Sequence, residues 1–151
     1  MMKKITTILI FLLLTNCGFS PIYKSKSDLK FNLIIDKTIG EKEINRFIVN
    51  HLQKYTDTEV DKKINLEIVT TYSKINVSKD NQGSSTSYKL IATTTFNINY
   101  ENDEKEVSFS ENLPLSKFED IFEEKRYESK IKNNIAKLLV EKLIRNLSAT
   151  K

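Results

Sequence analysis

From Asp28 to Ile35 the apolar residues Leu29, Phe31, Leu33 and Ile35 alternate with Asp28, Lys30, Asn32 and Ile34. A period of two is that of a half-buried strand, and it predicts a first strand over 28–35. Gly40 breaks the chain, and Glu41 to Tyr55 then spaces Ile44, Phe47, Ile48, Leu52 and Tyr55 by three and four. That stripe predicts an amphipathic helix, with Glu41 and Glu43 placed to suit the positive end of its dipole.

After a polar connector over 57–63, Ile64, Leu66, Ile68, Thr70 and Tyr72 share one alternating register, whereas Ile75 and Val77 sit on the opposite parity. The switch predicts a bulge or bend around Ser73 or Lys74. Ser78 to Ser87, with Asp80, Asn81, Gly83 and several hydroxyl residues, has the composition of a long mobile hairpin tip. Tyr88, Leu90, Ala92, Phe96, Ile98 and Tyr100 then form the apolar side of another strand, and Lys89, Ile91, Thr93, Thr95, Asn97 and Asn99 form its other side. A face so rich in threonine and asparagine suits an antiparallel sheet covered on one side only. Glu101 to Glu104 reads as a turn, and Val107 and Phe109 as a shorter return strand. Leu113-Pro114-Leu115 precedes a charged region, 116–130, that is compatible with helix but has no clear start. Beyond it, Ile131, Ile135, Leu139, Leu143 and Leu147 make one four-residue ridge, with Ala136, Val140 and Ile144 beside it. Two adjacent ridges predict a helix covering much of the sheet.

The order β-α-β-β-β-α implies a parallel, right-handed crossover between the first two strands, followed by an antiparallel meander. The predicted fold class is α+β: a two-layer sandwich, with a four-stranded mixed sheet and both helices packed on one face. The other face is left open.

The amino-terminal pattern is different. Lys3 and Lys4 precede a mainly apolar run from Ile5 to Leu14, and then comes Cys17, the single cysteine of the chain. A basic segment followed by a short apolar one is the pattern of a secretory signal peptide. The run is well short of the roughly 20 helical residues that cross a bilayer. Leu14, three places before Cys17, completes a pattern that resembles the lipobox of bacterial lipoproteins, although Asn16 stands where that pattern usually has Gly, Ala or Ser. The resemblance implies cleavage before Cys17 and acylation of its thiol and new amine. One acyl chain holds only marginally, at about 0.8 kcal/mol per buried methylene, whereas several on one residue hold stably. A buried thiol or an intermolecular disulfide is the alternative role for an odd cysteine. The expected organisation is a signal peptide over 1–16, a lipidated cysteine and tether over 17–27, and one α+β domain over 28–148.

Removing 16 of 151 residues leaves 135, enough for one domain with a real core. The leader takes two lysines and no acid, lowering the formal charge from +4 to +2. So balanced a surface does not argue for nucleic acid. With one cysteine there is no intramolecular disulfide, and stability must come from packing.

Cys17-Gly18-Phe19-Ser20-Pro21-Ile22-Tyr23 resembles the mature amino terminus of the lipopolysaccharide-assembly lipoprotein family, LptE, especially its alphaproteobacterial members. The similarity continues through Thr86-Ser87-Tyr88-Lys89-Leu90 and through Ile135-Ala136, Leu138-Leu139, Ile144 and Leu147. Ser87 stands where the family often has arginine. The resemblance implies a non-catalytic outer-membrane lipoprotein, periplasm-facing or inside a barrel lumen. It would act as partner and plug of an LptD-like β-barrel that inserts lipopolysaccharide into the outer leaflet. Its membrane attachment is the lipid on Cys17, and no other cofactor is expected. Gly18 rather than aspartate after the cysteine resembles lipoproteins sorted to the outer membrane. The alternative is an interaction domain tethered to a different envelope complex, since fold does not fix function.

Lys74, Lys79 and Lys89 lie near the hairpin and are candidates for lipopolysaccharide phosphates, as point charges; solvated surface lysines are the competing reading. Catalysis has little support, because the chain lacks a Gly-rich phosphate loop, a histidine pair and a Gly-x-Ser-x-Gly elbow. His51 is the single histidine and falls on the helix stripe, which suits a structural position. Glu119-Asp120 and Glu123-Glu124 read as a solvated helix face.

Overall fold

The computed structural model describes residues 31–56, 60–101 and 103–149. The predicted leader, Cys17 and the tether lie outside these residues, as do Asp28 to Lys30 of the first predicted strand. The elements are β1 (Asn32–Gly40), α1 (Lys42–Leu52) closed by a 3-10 turn (Gln53–Tyr55), β2 (Lys63–Lys79), β3 (Ser85–Tyr100), β4 (Asp103–Ser116) and α2 (Ile121–Ala149). The sheet order is β1-β2-β3-β4, with β1 parallel to β2 and the other pairs antiparallel. The architecture is therefore the predicted α+β sandwich with a four-stranded mixed sheet and both helices on one face. α1 lies against β1 and β2, α2 lies mainly against β4, and the two helices touch each other.

One core fills the space between the layers. The α1 stripe contributes Ile44, Ile48 and Leu52, and α2 contributes Ile135, Leu139 and Leu143, all fully buried. They meet Leu33, Leu66, Ile68, Leu90, Phe96 and Leu115 from the four strands. Thr70 and Thr94 are buried among them, and their hydroxyls satisfy each other at 2.8 Å. A shared hydrogen bond is what allows two polar side chains in an apolar layer.

Several boundaries differ from the sequence expectation. β1 continues past Ile35 because a register shift between Ile35 and Lys37 breaks its alternation without ending its pairing. It ends at Gly40, whose φ of +92° lets Glu41 N–H reach Thr70 O at 3.0 Å. β2 has no bulge at Ser73 or Lys74; its pairing is regular to Asn76 and shifts only there and after Ser78. Ile75 and Val77 are exposed apolar residues, 45% and 59% accessible, Ile75 on the open face and Val77 at the register shift, so their parity marks no change of face at Ser73 or Lys74.

The hairpin is not a long mobile tip, because strand pairing runs to Lys79 and Ser85. The reversal itself is tight. Gly83 N–H donates to Asp80 O, and Asp80 N–H to Ser84 O. Asp80 Oδ1 accepts from the N–H groups of Gln82 and Ser84 at 2.9 and 2.8 Å. Gly83 supplies the left-handed residue, φ +83°, that such a hairpin requires.

β4 spans 14 residues rather than a short return, and includes Leu113-Pro114-Leu115. Proline is tolerated there because β4 is an edge strand. The last helix is continuous from Ile121. Asp120 caps it, with Oδ1 accepting from Phe122 N–H at 2.7 Å.

Candidate functional site

The open face is built by the odd positions of β2 and β3 and the even positions of β4. Three successive cross-strand rows carry no charge: Val69–Thr95–Ser108, Thr71–Thr93–Ser110 and Ser73–Ile91–Asn112. The hydroxyls within them are linked. Thr93 Oγ1 donates to Ser110 Oγ at 3.0 Å, Thr95 Oγ1 to Ser108 Oγ at 3.2 Å, and Thr71 Oγ1 to Thr93 O at 3.4 Å. Charge returns at either end of this band, in the Glu67–Asn97–Glu106 row and at Lys89 in the Ile75–Lys89–Pro114 row. β-branched and hydroxyl side chains suit an exposed pleated surface. The face is uncharged at its centre and studded with hydrogen-bonding groups.

The structure does not bring the three candidate lysines together. Lys89 projects on the open face, and Lys79 is exposed at the end of β2. Lys74 shares the parity of Tyr72 and Thr70 and turns under the helices. Its Nζ sits 2.8 Å from Glu124 Oε1 and 2.9 Å from Glu128 Oε2, and 4.3 Å from the centre of the Tyr88 ring. Burial disfavours its ammonium, but hydrogen bonds to both glutamates more than offset this and hold its pKa above the ordinary lysine value.

Lys74 belongs to a larger network that joins both helices to the sheet. Lys132 Nζ lies 3.0 Å from both Glu41 Oε1 and Glu43 Oε2, 3.8 Å from Glu128 Oε1, and 4.5 Å from the centre of the Tyr72 ring. Tyr72 donates to Glu128 at 2.6 Å, and Ser129 to Glu43 at 2.5 Å. Burial lowers the affinity of Lys132 for its proton, and hydrogen bonds to Glu43 and Glu41 restore and exceed it. Burial likewise pushes the Glu43 and Glu128 carboxyls up, and their hydrogen-bond donors bring both below the ordinary carboxylate value. The hydrogen bond from Lys74 lowers Glu124. Burial and the bond to Glu128 raise the Tyr72 phenol well above its usual range.

Glu124 is thus a partner of the sheet and not part of a solvated face, and Asp120 is a helix cap. The network was traceable in the chain from two signs: Lys74 lies in step with the core positions of β2, and Glu124, Glu128 and Lys132 recur at four-residue spacing. His51 Nε2 is 2.9 Å from Asn133 Oδ1, a link between the helices.

No protein-family model and no curated protein matches the sequence. The fold does have solved counterparts. Rare lipoprotein B from Shewanella oneidensis superposes with a TM-score of 0.58 at 11% identity, covering 76% of this chain and 96% of that one. A lipoprotein from Caulobacter crescentus gives 0.51 at 10% identity, covering 78% and 87%. Lipoprotein B from Nitrosomonas europaea gives 0.50 at 16% identity, covering 84% and 90%. The chain shares its fold with these bacterial lipoprotein structures.

Proposed function

We propose that the protein is a non-catalytic outer-membrane lipoprotein, anchored through acylated Cys17, that seats in the lumen of an LptD-like β-barrel and assists lipopolysaccharide insertion into the outer leaflet. The observation that carries this reading is the uncharged hydroxyl band of the open face. Barrel lumens are polar, and a sheet face bearing Thr71, Thr93, Thr95, Ser108 and Ser110 offers hydrogen bonds to such a wall without burying unpaired charge, which would be costly. The fold shared with lipoproteins supports the anchoring, as does the leader before Cys17. Lys79 and Lys89 are the lysines free to meet lipid phosphates, since Lys74 already neutralises two carboxylates.

Affinity purification of the tagged full chain from detergent-solubilised envelopes tests the proposal. It predicts co-purification of a large β-barrel and loss of surface lipopolysaccharide when the chain is depleted. Repeated absence of a barrel, with surface lipopolysaccharide unchanged, would instead favour an interaction domain of another envelope complex. The anchor has its own test: intact-protein mass spectrometry should show a mature chain beginning at an acylated Cys17.

A further inference from the structure

We propose that the free edge of β1, walled by the outer stripe of α1, receives an extended acidic segment of a partner protein as an additional strand. β1 pairs only with β2, so among the described residues its other edge is uncovered. Beside it, Thr38 and Gly40 of β1 and Lys42, Asn45, Arg46, Val49 and Asn50 of α1 line a groove of about 420 Å³. The helix positions recur at three- and four-residue spacing, so one continuous stripe of α1 faces the strand edge. Adding a peptide strand beside a helix uses main-chain bonds for affinity and the flanking side chains for selectivity.

Three observations identify the occupant. First, the charged residues that line the groove are Lys42 and Arg46, both exposed, and neither is within an ion pair among the described residues. Glu43 of α1 bonds to Lys132 and Ser129, so Arg46 acts on it only through space, its guanidinium lying 5.0 Å from the centre of the Phe47 ring. Second, Asn45 is only 4% accessible; its Nδ2 donates to Ile39 O at 2.9 Å, while its Oδ1 is buried without a partner. A buried orphan acceptor is costly and calls for a donor. A phosphate would satisfy the two cations but offers acceptors to Asn45 and to the strand edge. An extended peptide supplies backbone N–H donors, and its acidic side chains complement Lys42 and Arg46.

Third, the two edges of the sheet are treated differently. β4 carries Asp103, Glu104, Lys105 and Glu106 at one end and Pro114 near the other, features that discourage edge pairing. On β1 the irregularity at Asp36 confines the usable edge to the stretch from Lys37 to Gly40. That stretch has no proline, and Ile39, 39% accessible, adds an apolar contact.

The test is a titration of the 15N-labelled full chain in detergent micelles with an acetylated, amidated peptide of alternating glutamate with valine or threonine. Expected are saturable amide shifts confined to residues 37–50, slower amide exchange at Thr38 and Gly40, and no response to the lysine counterpart. The Lys42→Glu, Arg46→Glu double variant alters only exposed positions, and should bind the acidic peptide at least about tenfold more weakly while acquiring the lysine peptide. Equal binding by this variant, when its spectrum elsewhere is unchanged, would overturn the proposal. So would shifts located elsewhere, no saturation, or the same shifts produced by inorganic phosphate alone.

Discussion

At the residue scale, two positions carry unusual constraint. A Cβ on Gly40 would stand 2.0 Å from Thr70 O, and φ is +92°. The left-handed backbone alone costs an L-residue about 1–2 kcal/mol, and the clash adds to it by forcing β1 from β2. Gly40→Ala should lower unfolding stability by more than that figure, read by urea denaturation. The Thr70–Thr94 pair has the opposite character, because each hydroxyl is needed only by the other. Thr70→Val or Thr94→Val alone leaves an orphan in the core and should cost about 1–2 kcal/mol, whereas the double variant should cost less than the sum. A double-mutant cycle by thermal or chemical unfolding measures that coupling.

At the scale of elements, alternation and helical spacing were enough to place all four strands and both helices, because a half-covered sheet writes its buried face into the chain. Boundaries were harder, each for a physical reason. Ile75 and Val77 mimic a change of face because apolar side chains most often mark burial, yet exposed apolar residues are common on folded surfaces. The Ser78–Ser87 segment looked like a loop by composition, but Asp80 and Gly83 are turn formers that let strand pairing continue almost to the tip. The start of α2 was hidden because 116–130 buries little. What sets it is a cap, Asp120 Oδ1 on Phe122 N–H. Asp120→Ala should therefore cost about 1 kcal/mol, with amide exchange accelerated in the first turn of α2 and unchanged near Leu139.

The open face was the part of the candidate site most legible in the chain, since its Thr and Asn positions follow directly from strand parity. The lysine candidates were not, because proximity to a hairpin says nothing about which face a side chain takes. Lys74 and Lys89 are Cα partners of adjacent register rows yet point to opposite layers.

At the scale of the whole molecule, the network of Lys74, Lys132, Tyr72 and four glutamates ties α1, α2 and β2 together and makes stability depend on pH. Glu43, Glu124 and Glu128 titrate below their ordinary value of 4.5 in the folded chain. Their contribution is therefore present above pH 4.5 and is lost as pH falls through their folded values. Lys74 and Lys132 titrate above their ordinary 10.5, and Tyr72 above 10.0, so their contribution is complete below pH 10 and is lost as pH rises through the folded values. A stability plateau between these limits is expected from thermal unfolding across pH, and Lys132→Met should lower it and make both flanks shallower, because the Lys132 titration and its share of the lowering of Glu43 and Glu128 are gone. Removing this one ammonium leaves Glu41, Glu43 and Glu128 facing one another, which should cost about 2 kcal/mol at neutral pH, below the range for fully buried pairs.

The open face and the network divide the labour of the sheet. One side is closed by charge and apolar packing, and the other carries an uncharged central band. The most direct measurement of the proposed seating places a cation at the centre of that band: Thr93→Arg, assayed by co-purification of the tagged full chain with an outer-membrane barrel. If the face seats against a barrel wall, recovery of the barrel should fall by at least about tenfold while the melting temperature stays unchanged. Undiminished recovery with the arginine in place would contradict the account.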